Sequence, residues 1–168
     1  MIVAELERNA AFISAILPKR VYPPLFNRYA EGLGFGTHVD GTVRGVAGSP
    51  HKLRTDLSAT LFLSAPQSYD GGELVIESDF GNQSAKLEAG ELVVYSSTSR
   101  HRVAPVTRGE RLACVFWIQS LVREDDRRET LFELDRTIQM LTEQGADPEA
   151  LVRLTAHYHG LLRMWTEI

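Results

Sequence analysis

The spacing of apolar residues predicts a helix near the N-terminal end of the chain. Apolar side chains recur at i, i+4, i+7 and i+11, at Leu6, Ala10, Ile13 and Leu17. This spacing places them on one face of a helix, and Pro18 would end it because proline cannot continue the hydrogen-bond ladder. We therefore predict a single helix over residues 3–17.

The middle of the chain has the pattern of a β-structure. Short apolar or alternating runs recur at intervals of about 8–12 residues and are separated by glycine and asparagine, which is typical of a sandwich or barrel. The predicted strands are Leu25–Tyr29, Leu57–Ala65, Glu73–Glu77, Gln83–Leu87, Glu91–Tyr95 and Arg111–Gln119. Residues 41–49 are polar, rich in glycine and without periodicity, so they predict a lid or substrate-binding loop.

The pattern returns to helical spacing after Gln119. Two apolar stripes follow, at Leu131, Leu134, Ile138 and Leu141, and at Leu151, Leu154, Tyr158, Leu161 and Trp165. Gly145 suits a helix end, and Asp147-Pro148 suits a helix start. We predict a β-domain with its N-terminal helix over residues 1–120. Residues 121–168 would form a helical hairpin that packs on the barrel or makes a homodimer seam.

Composition and charge exclude several classes of function. A net charge of −4 with no basic block argues against a nucleic-acid partner. No uncharged run is long enough for a membrane span, and Glu5 and Glu7 stand where a signal peptide would be apolar. Cys114 is the only cysteine, so no disulfide framework exists and we expect a reducing cytoplasm.

The segment His38-Val39-Asp40 supplies two candidate metal ligands. In a strand, side chains two positions apart point to the same face, so both could bind one metal ion. A lone His-x-Asp is a weak signal, and a third ligand is needed. His101 is the strongest candidate, because His51 lies in the irregular loop while His157 and His159 diverge on a helix. Two histidines and a carboxylate match the facial triad of non-haem Fe(II), and zinc is the alternative.

Arg111 opens the last predicted strand and has two interpretations. A buried arginine is costly unless it holds a carboxylate or phosphate, so it could bind one end of a dicarboxylic cosubstrate whose other end chelates iron. Alternation places Trp117 on the same face, and both faces of this strand are expected to be buried. Alternatively, Arg111 lies just outside the strand and pairs with a surface acid such as Glu110.

Three motifs taken together resemble the Fe(II)- and 2-oxoglutarate-dependent dioxygenases, and specifically the bacterial PKHD-type hydroxylases. They are Tyr29-x-x-Gly32-x-x-Phe35-x-x-His38-x-Asp40, Asp70-Gly71-Gly72-Glu73-Leu74 and His101-x9-Arg111. Three further phrases resemble the subfamily: Leu25-Phe26-Asn27-Arg28-Tyr29, Arg54-Thr55-Asp56-Leu57-Ser58-Ala59-Thr60 and Pro105-Val106-Thr107-x-Gly109-Glu110-Arg111. The resemblance covers essentially the whole chain.

The resemblance implies a mainly β double-stranded β-helix, or jelly roll, with flanking helices. His38, Asp40 and His101 would hold Fe(II), and Arg111 with Tyr29 would bind 2-oxoglutarate. It implies a reaction in which 2-oxoglutarate and O₂ give succinate and CO₂ while a substrate is hydroxylated, with L-ascorbate keeping the iron reduced. The substrate would be a peptide or a small molecule, and the family name points to prolyl or lysyl residues.

The chain departs from the resembling family in two places. Phe35 stands where many prolyl-hydroxylase relatives carry a second tyrosine, so a hydrogen bond from that position is lost. Those relatives also carry a further segment before the helix that starts near Ile2. We expect a chain shortened there to expose a sheet edge or an apolar face, and an upstream-extended version to be more soluble and more stable.

Two other functions remain open from the residues alone. A barrel of the same fold could use the metal for structure or iron sensing, binding Fe(II) without turning over 2-oxoglutarate. A cupin-like metalloenzyme of another class, such as a zinc hydrolase, would not need Arg111.

Overall fold

The computed structural model describes residues 2–168, in which four α-helices and thirteen strands occur. The helices are α1 (Ile2–Leu6), α2 (Ala10–Ile16), α3 (Asp125–Glu143) and α4 (Pro148–Trp165). The strands are β1 (Pro18–Val21), β2 (Leu25–Tyr29), β3 (Phe35–His38), β4 (Val43–Gly45), β5 (Lys52–Arg54), β6 (Leu57–Phe62), β7 (Asp70–Gly71), β8 (Leu74–Glu77), β9 (Gln83–Ala85), β10 (Leu92–Ser96), β11 (Arg100–Val103), β12 (Val106–Arg108) and β13 (Arg111–Ser120).

The chain divides into two compact units. One is Arg20–Gln119 and contains nearly all the strands, while the other combines the residues up to Lys19 with Ser120–Ile168. The predicted boundary between two domains at residue 120 stays a prediction. In the division by compactness, the N-terminal helices belong to the same unit as the C-terminal helices.

The β-unit is built from two principal antiparallel sheets. The larger sheet has the order β1-β13-β6-β10, with β2 also paired to β13, and the smaller has the order β3-β11-β8-β9. Two further two-stranded ladders, β12-β7 and β4-β5, complete the strand pairing. This arrangement confirms the predicted mainly β jelly roll with helices after it.

The register of these pairs brings distant residues face to face. In the smaller sheet, His101 on β11 lies directly opposite His38 on β3. In the larger sheet, Arg111 on β13 lies opposite Tyr29 on β2, and Trp117 lies opposite Ser58 on β6. Directly opposed residues have Cβ atoms about 4.5–5.5 Å apart, so the register determines which side chains can act together.

The second unit has an apolar cluster of its own. Leu17, Val122 and Leu131 are buried, and partly buried side chains pack around them, namely Leu121, Tyr158, Leu161, Leu162 and Trp165. The α4 helix begins as predicted, because the Asp147 side chain accepts a hydrogen bond of 2.8 Å from the Ala150 amide. The predicted helical hairpin is confirmed as α3 and α4.

The predicted helix over residues 3–17 is wrong in one respect, because the structure has two helices there. The chain leaves α1 after Leu6, and the Asn9 side chain accepts a hydrogen bond of 3.0 Å from the Phe12 amide, which starts α2. Asparagine competes for backbone hydrogen bonds and favours such caps. Phe12 and Ile16 are buried, whereas Ile13, on the stripe that we predicted, is exposed.

The predicted loop and strand limits also need correction. Residues 41–49 are not wholly irregular, because β4 pairs with β5 and places Arg44 opposite Leu53. The strand from Leu57 ends at Phe62 rather than Ala65, since Pro66 begins a short 3₁₀ turn. On β13 both faces are buried as predicted except at Leu112, which is exposed.

Replacing Gly71 by alanine is expected to destabilise the β-unit strongly. Gly71 has a φ of +70°, and a Cβ there would lie 2.1 Å from the Pro105 carbonyl oxygen, so a backbone must shift. Gly48→Ala is the matched control, with a φ of +72° and nothing within 4 Å. Gly48→Ala should cost about 1 kcal/mol from the left-handed conformation alone. Denaturant unfolding should show a clearly larger loss for Gly71→Ala, and equal losses would contradict the assigned clash.

Candidate active site

A cavity of about 260 Å³ lies within the β-unit, and both principal sheets contribute to its walls. The larger sheet supplies Tyr29, Ser58, Thr60, Tyr95, Arg111 and Trp117, and the smaller one supplies Phe35, His38 and His101. Asp40 and Arg44, which follow β3, also line it. All five residues that the sequence indicated for the site therefore share one cavity.

His38, Asp40 and His101 form a cluster that could hold a metal ion. One potential ligand atom from each lies within 4.8 Å of the others. The Nε2 atoms of His38 and His101 are 3.9 and 3.6 Å from the two carboxylate oxygens of Asp40. Asp40 does not stand on the strand as expected, because β3 ends at His38, yet its carboxylate still reaches the histidines. Two imidazole nitrogens and a carboxylate oxygen suit a divalent transition metal ion whose other coordination positions stay open.

Each histidine has its second ring nitrogen held by a backbone carbonyl. His38 Nδ1 lies 2.9 Å from the Gly36 carbonyl oxygen, and His101 Nδ1 lies 3.0 Å from that of Ser99. A carbonyl oxygen only accepts, so Nδ1 donates this hydrogen bond, and in a neutral ring Nε2 is the nitrogen left for a metal ion. This is the tautomer that a metal-ligating histidine needs.

Two buried serines orient the Asp40 carboxylate. The Ser58 hydroxyl donates a hydrogen bond of 2.6 Å to Asp40 Oδ2 and lies 2.7 Å from the Ser97 hydroxyl. Both serines are buried. Neither serine was predicted, since nothing in the local sequence pattern distinguishes a serine beside a metal ligand from any other strand serine.

Arg111 is a buried cation at the start of β13. It is 1% exposed, and none of its three guanidinium nitrogens makes a hydrogen bond of normal geometry with the described residues. Burial lowers the pKa of Arg111, and nearby Tyr69 and Tyr29 counteract this shift. The alternative pairing with Glu110 is wrong, because Glu110 binds Arg28 on the surface instead. A carboxylate from outside the protein would satisfy these donors.

Tyr69 and Gly72 hold the Arg111 side chain in position. Gly72 has a φ of +69°, and a Cβ there would lie 3.0 Å from Tyr69 Cε2 and 3.1 Å from Arg111 Cδ. The Tyr69 hydroxyl is buried next to the guanidinium without a hydrogen bond of normal geometry, and burial raises its pKa. The Gly71-Gly72 turn therefore leaves the space that the arginine stem occupies.

Three aromatic residues shape the rest of the cavity. The Arg111 guanidinium carbon lies 5.5 Å from the Tyr29 ring centre, as a partner on the neighbouring strand should. Tyr95 packs edge-on against His101, and burial together with the charge of Asp40 raises the pKa of its hydroxyl. Trp117 lies in the wall, on the face of β13 that the sequence predicted.

None of the remaining histidines belongs to the ligand cluster found among residues 2–168. His51 is exposed in the loop after β4, and His157 and His159 are exposed on α4. None of the helices in residues 2–168 combines the length and the apolar character that crossing a membrane requires.

Ser58→Ala is expected to weaken divalent-metal binding roughly tenfold or more, because the hydrogen bond from the Ser58 hydroxyl fixes the orientation of the Asp40 carboxylate. Ser84→Ala, at an exposed position on β9, is the control and should bind metal like the wild type. Calorimetric titration with Zn(II) or Co(II) measures both. Wild-type affinity in Ser58→Ala would show that Asp40 does not need this hydrogen bond.

Comparison with known families agrees with this geometry. Residues 24–119 match the 2OG-Fe(II) oxygenase superfamily, and residues 125–167 match the PKHD-type hydroxylase C-terminal domain. Together the two matches account for the β-unit and both C-terminal helices.

Individual relatives give the same result. A PKHD-type hydroxylase from Burkholderia ambifaria strain MC40-6 is 60% identical over 167 residues, which are 99% of this chain and 73% of that protein. A PKHD-type hydroxylase from Xanthomonas axonopodis pv. citri is 54% identical over 170 residues, covering all of this chain and 75% of the relative.

A solved structure provides a comparison of the fold. The crystal structure of a Pseudomonas putida prolyl-4-hydroxylase is 27% identical, with a TM-score of 0.51 over 70% of this chain and 63% of that one. This chain thus spans less than two thirds of that hydroxylase. The family matches and the two close relatives identify the chain as a member of the PKHD-type hydroxylases, Fe(II)- and 2-oxoglutarate-dependent oxygenases of the 2OG-Fe(II) superfamily.

Proposed function

We propose that His38, Asp40 and His101 hold the Fe(II) on which this chain acts as a hydroxylase. The proposal is supported by their ligand atoms, which lie within 4.8 Å of one another, and by the tautomers that free both Nε2 atoms. Two histidines and one carboxylate leave coordination positions open for a cosubstrate and for O₂.

Arg111 is the proposed partner of the distal carboxylate of 2-oxoglutarate, and Tyr29 is the residue that packs beside it. The observation that carries the proposal is a buried guanidinium in the same cavity as the ligand cluster, without a hydrogen-bonded partner in the part of the chain that the structure describes. A keto acid chelating the metal at one end would supply the missing acceptor at the other. The resulting two-pronged pair is stronger than a neutral hydrogen bond and fixes orientation.

Bound iron would supply O₂ activation coupled to the decarboxylation of 2-oxoglutarate to succinate and CO₂. The residues of the chain bind and orient the metal and the keto acid, and they exclude water from the cavity. Ser58 keeps Asp40 aligned, Arg111 fixes the keto acid, and Tyr95 with Trp117 encloses the cavity. Because the positions of these groups are set before substrate arrives, little reorganisation is needed during the reaction.

The remaining parts of the proposal rest on family resemblance and on the sequence. The substrate is a peptide or a small molecule, and the name of the Pseudomonas putida relative makes prolyl residues the first candidates. L-ascorbate serves as reductant for the iron. A homodimer stays a prediction from the sequence, and the stripe residues Leu131, Tyr158, Leu161 and Trp165 already pack in the apolar cluster of one chain. The buried thiol of Cys114 suits the cytoplasm.

Spectroscopy under anaerobic conditions tests this function against its two alternatives. Adding Fe(II) and 2-oxoglutarate without O₂ should produce a visible charge-transfer band, and admitting O₂ should discharge it with formation of succinate. A structural or iron-sensing barrel would bind Fe(II) without succinate formation. A metalloenzyme of another class would give no band dependent on 2-oxoglutarate.

Arg111→Met is expected to raise the concentration of 2-oxoglutarate needed for half-saturation by roughly 10–100-fold, since charged hydrogen bonds are lost. Without cosubstrate its melting temperature should not fall, because removing an unpartnered buried charge is neutral or stabilising. Arg108→Met is the control, since Arg108 is exposed and binds Asp70 on the surface. Unchanged 2-oxoglutarate affinity in Arg111→Met, measured by titrating the charge-transfer band, would contradict the assigned role.

A further inference from the structure

A second arginine, Arg44, stands in the wall of the same cavity and takes no part in the binding described above. It lies on β4, in the segment whose sequence predicted a loop. The strand is held in place because Arg44 pairs with Leu53 on β5 and the Thr55 hydroxyl donates to the Gly41 carbonyl oxygen at 2.7 Å. The Arg44 guanidinium is therefore carried by a hydrogen-bonded strand and not by an irregular loop.

Aromatic stacking orients the Arg44 guanidinium. Its central carbon lies 3.3 Å from the centre of the Trp117 ring, a cation–π contact. The Tyr22 ring packs edge-on against the Trp117 ring, with their centres 5.5 Å apart. Flat stacking leaves the edge of a guanidinium, with its N–H groups, available for an acceptor.

The hydrogen-bonding capacity of Arg44 is largely unused within the protein. Its Nε is buried and has no hydrogen-bond partner in the described residues. Its one ion-pair contact there is with Asp40 Oδ1 at 3.7 Å, too long for a hydrogen bond. The Asp40 carboxylate accepts a hydrogen bond from Ser58 and is the proposed metal ligand. Its negative charge would therefore neutralise the metal ion and not Arg44.

Charge balance indicates what Arg44 can bind. In the loaded site, the charges of Fe(II), the Asp40 carboxylate, 2-oxoglutarate and Arg111 would cancel, since histidine binds a metal ion as the uncharged imidazole. Arg44 adds a positive charge in a partly desolvated wall, which is unfavourable unless an anion accompanies it. Exposed apolar side chains of Leu25, Phe35 and Val39 border the same cavity and suit an apolar body attached to that anion.

We propose that Arg44, stacked on Trp117, is a substrate-recognition residue, and that the substrate carries a carboxylate on an apolar body close to the hydroxylated position. This inference rests on the proposed function, because the metal and 2-oxoglutarate must first fill the inner part of the cavity. It makes Arg44 a specificity determinant distinct from Arg111.

Binding of a matched pair of probes tests the proposal. Protein loaded with Zn(II), an inert substitute for Fe(II), and with 2-oxoglutarate is titrated with 3-phenylpropanoate or 3-phenylpropanamide, and ligand-observed NMR gives each dissociation constant. The wild type should bind the carboxylate roughly tenfold more tightly than the amide. Arg44→Gln should abolish this preference, and Arg44→Lys should keep part of it because the charge remains.

A control variant and a prior measurement of 2-oxoglutarate binding distinguish failure of the Arg44 proposal from failure of the proposed function. Arg153→Gln, on the exposed face of α4, should retain the wild-type preference. Binding of 2-oxoglutarate to the Zn(II) protein, measured first, tests the proposed function alone. If it binds but both probes then bind equally, bind undetectably in the millimolar range, or keep their difference in Arg44→Gln, the role of Arg44 is overturned.

Discussion

The organisation of this protein depends on a buried positive charge for which residues 2–168 supply no hydrogen-bonded acceptor. Arg111 is almost fully enclosed at the start of β13, and its nitrogens are without hydrogen bonds of normal geometry in residues 2–168. Such burial is costly, so the surrounding structure must hold the guanidinium in place. Gly72 makes room for its stem and Tyr69 packs against it, which explains why the glycine turn and the arginine belong together.

The register of the antiparallel strands brings this charge and three side chains that are distant in the sequence together in one site. His101 meets His38 because their strands pair directly, and Tyr29 meets Arg111 by the same geometry in the other sheet. Side chains on facing sheets then share a cavity. A slip of one residue would turn each side chain to the opposite face, so the hydrophobic pattern that fixes the register also determines the chemistry.

The residues that bear the chemistry could be predicted from the sequence, whereas their supporting groups could not. His38, Asp40, His101 and Arg111 have side chains whose burial or clustering demands a reason, and their spacing matches a family. Ser58, Tyr69 and Arg44 act through partners that are distant in the chain. The sequence pattern around each residue does not indicate such contacts. The break before α2 was missed because a stripe of apolar residues outweighed the capping preference of Asn9.

The central claim is that the guanidinium of Arg111 meets the far carboxylate of 2-oxoglutarate while His38, Asp40 and His101 hold the metal. A crystal structure of the protein with Zn(II) and 2-oxoglutarate measures this directly. We expect two nitrogen–oxygen contacts between Arg111 and one carboxylate at hydrogen-bond distance, roughly 2.7–2.9 Å. A keto acid bound elsewhere, with Arg111 satisfied by water or by the protein, would contradict it.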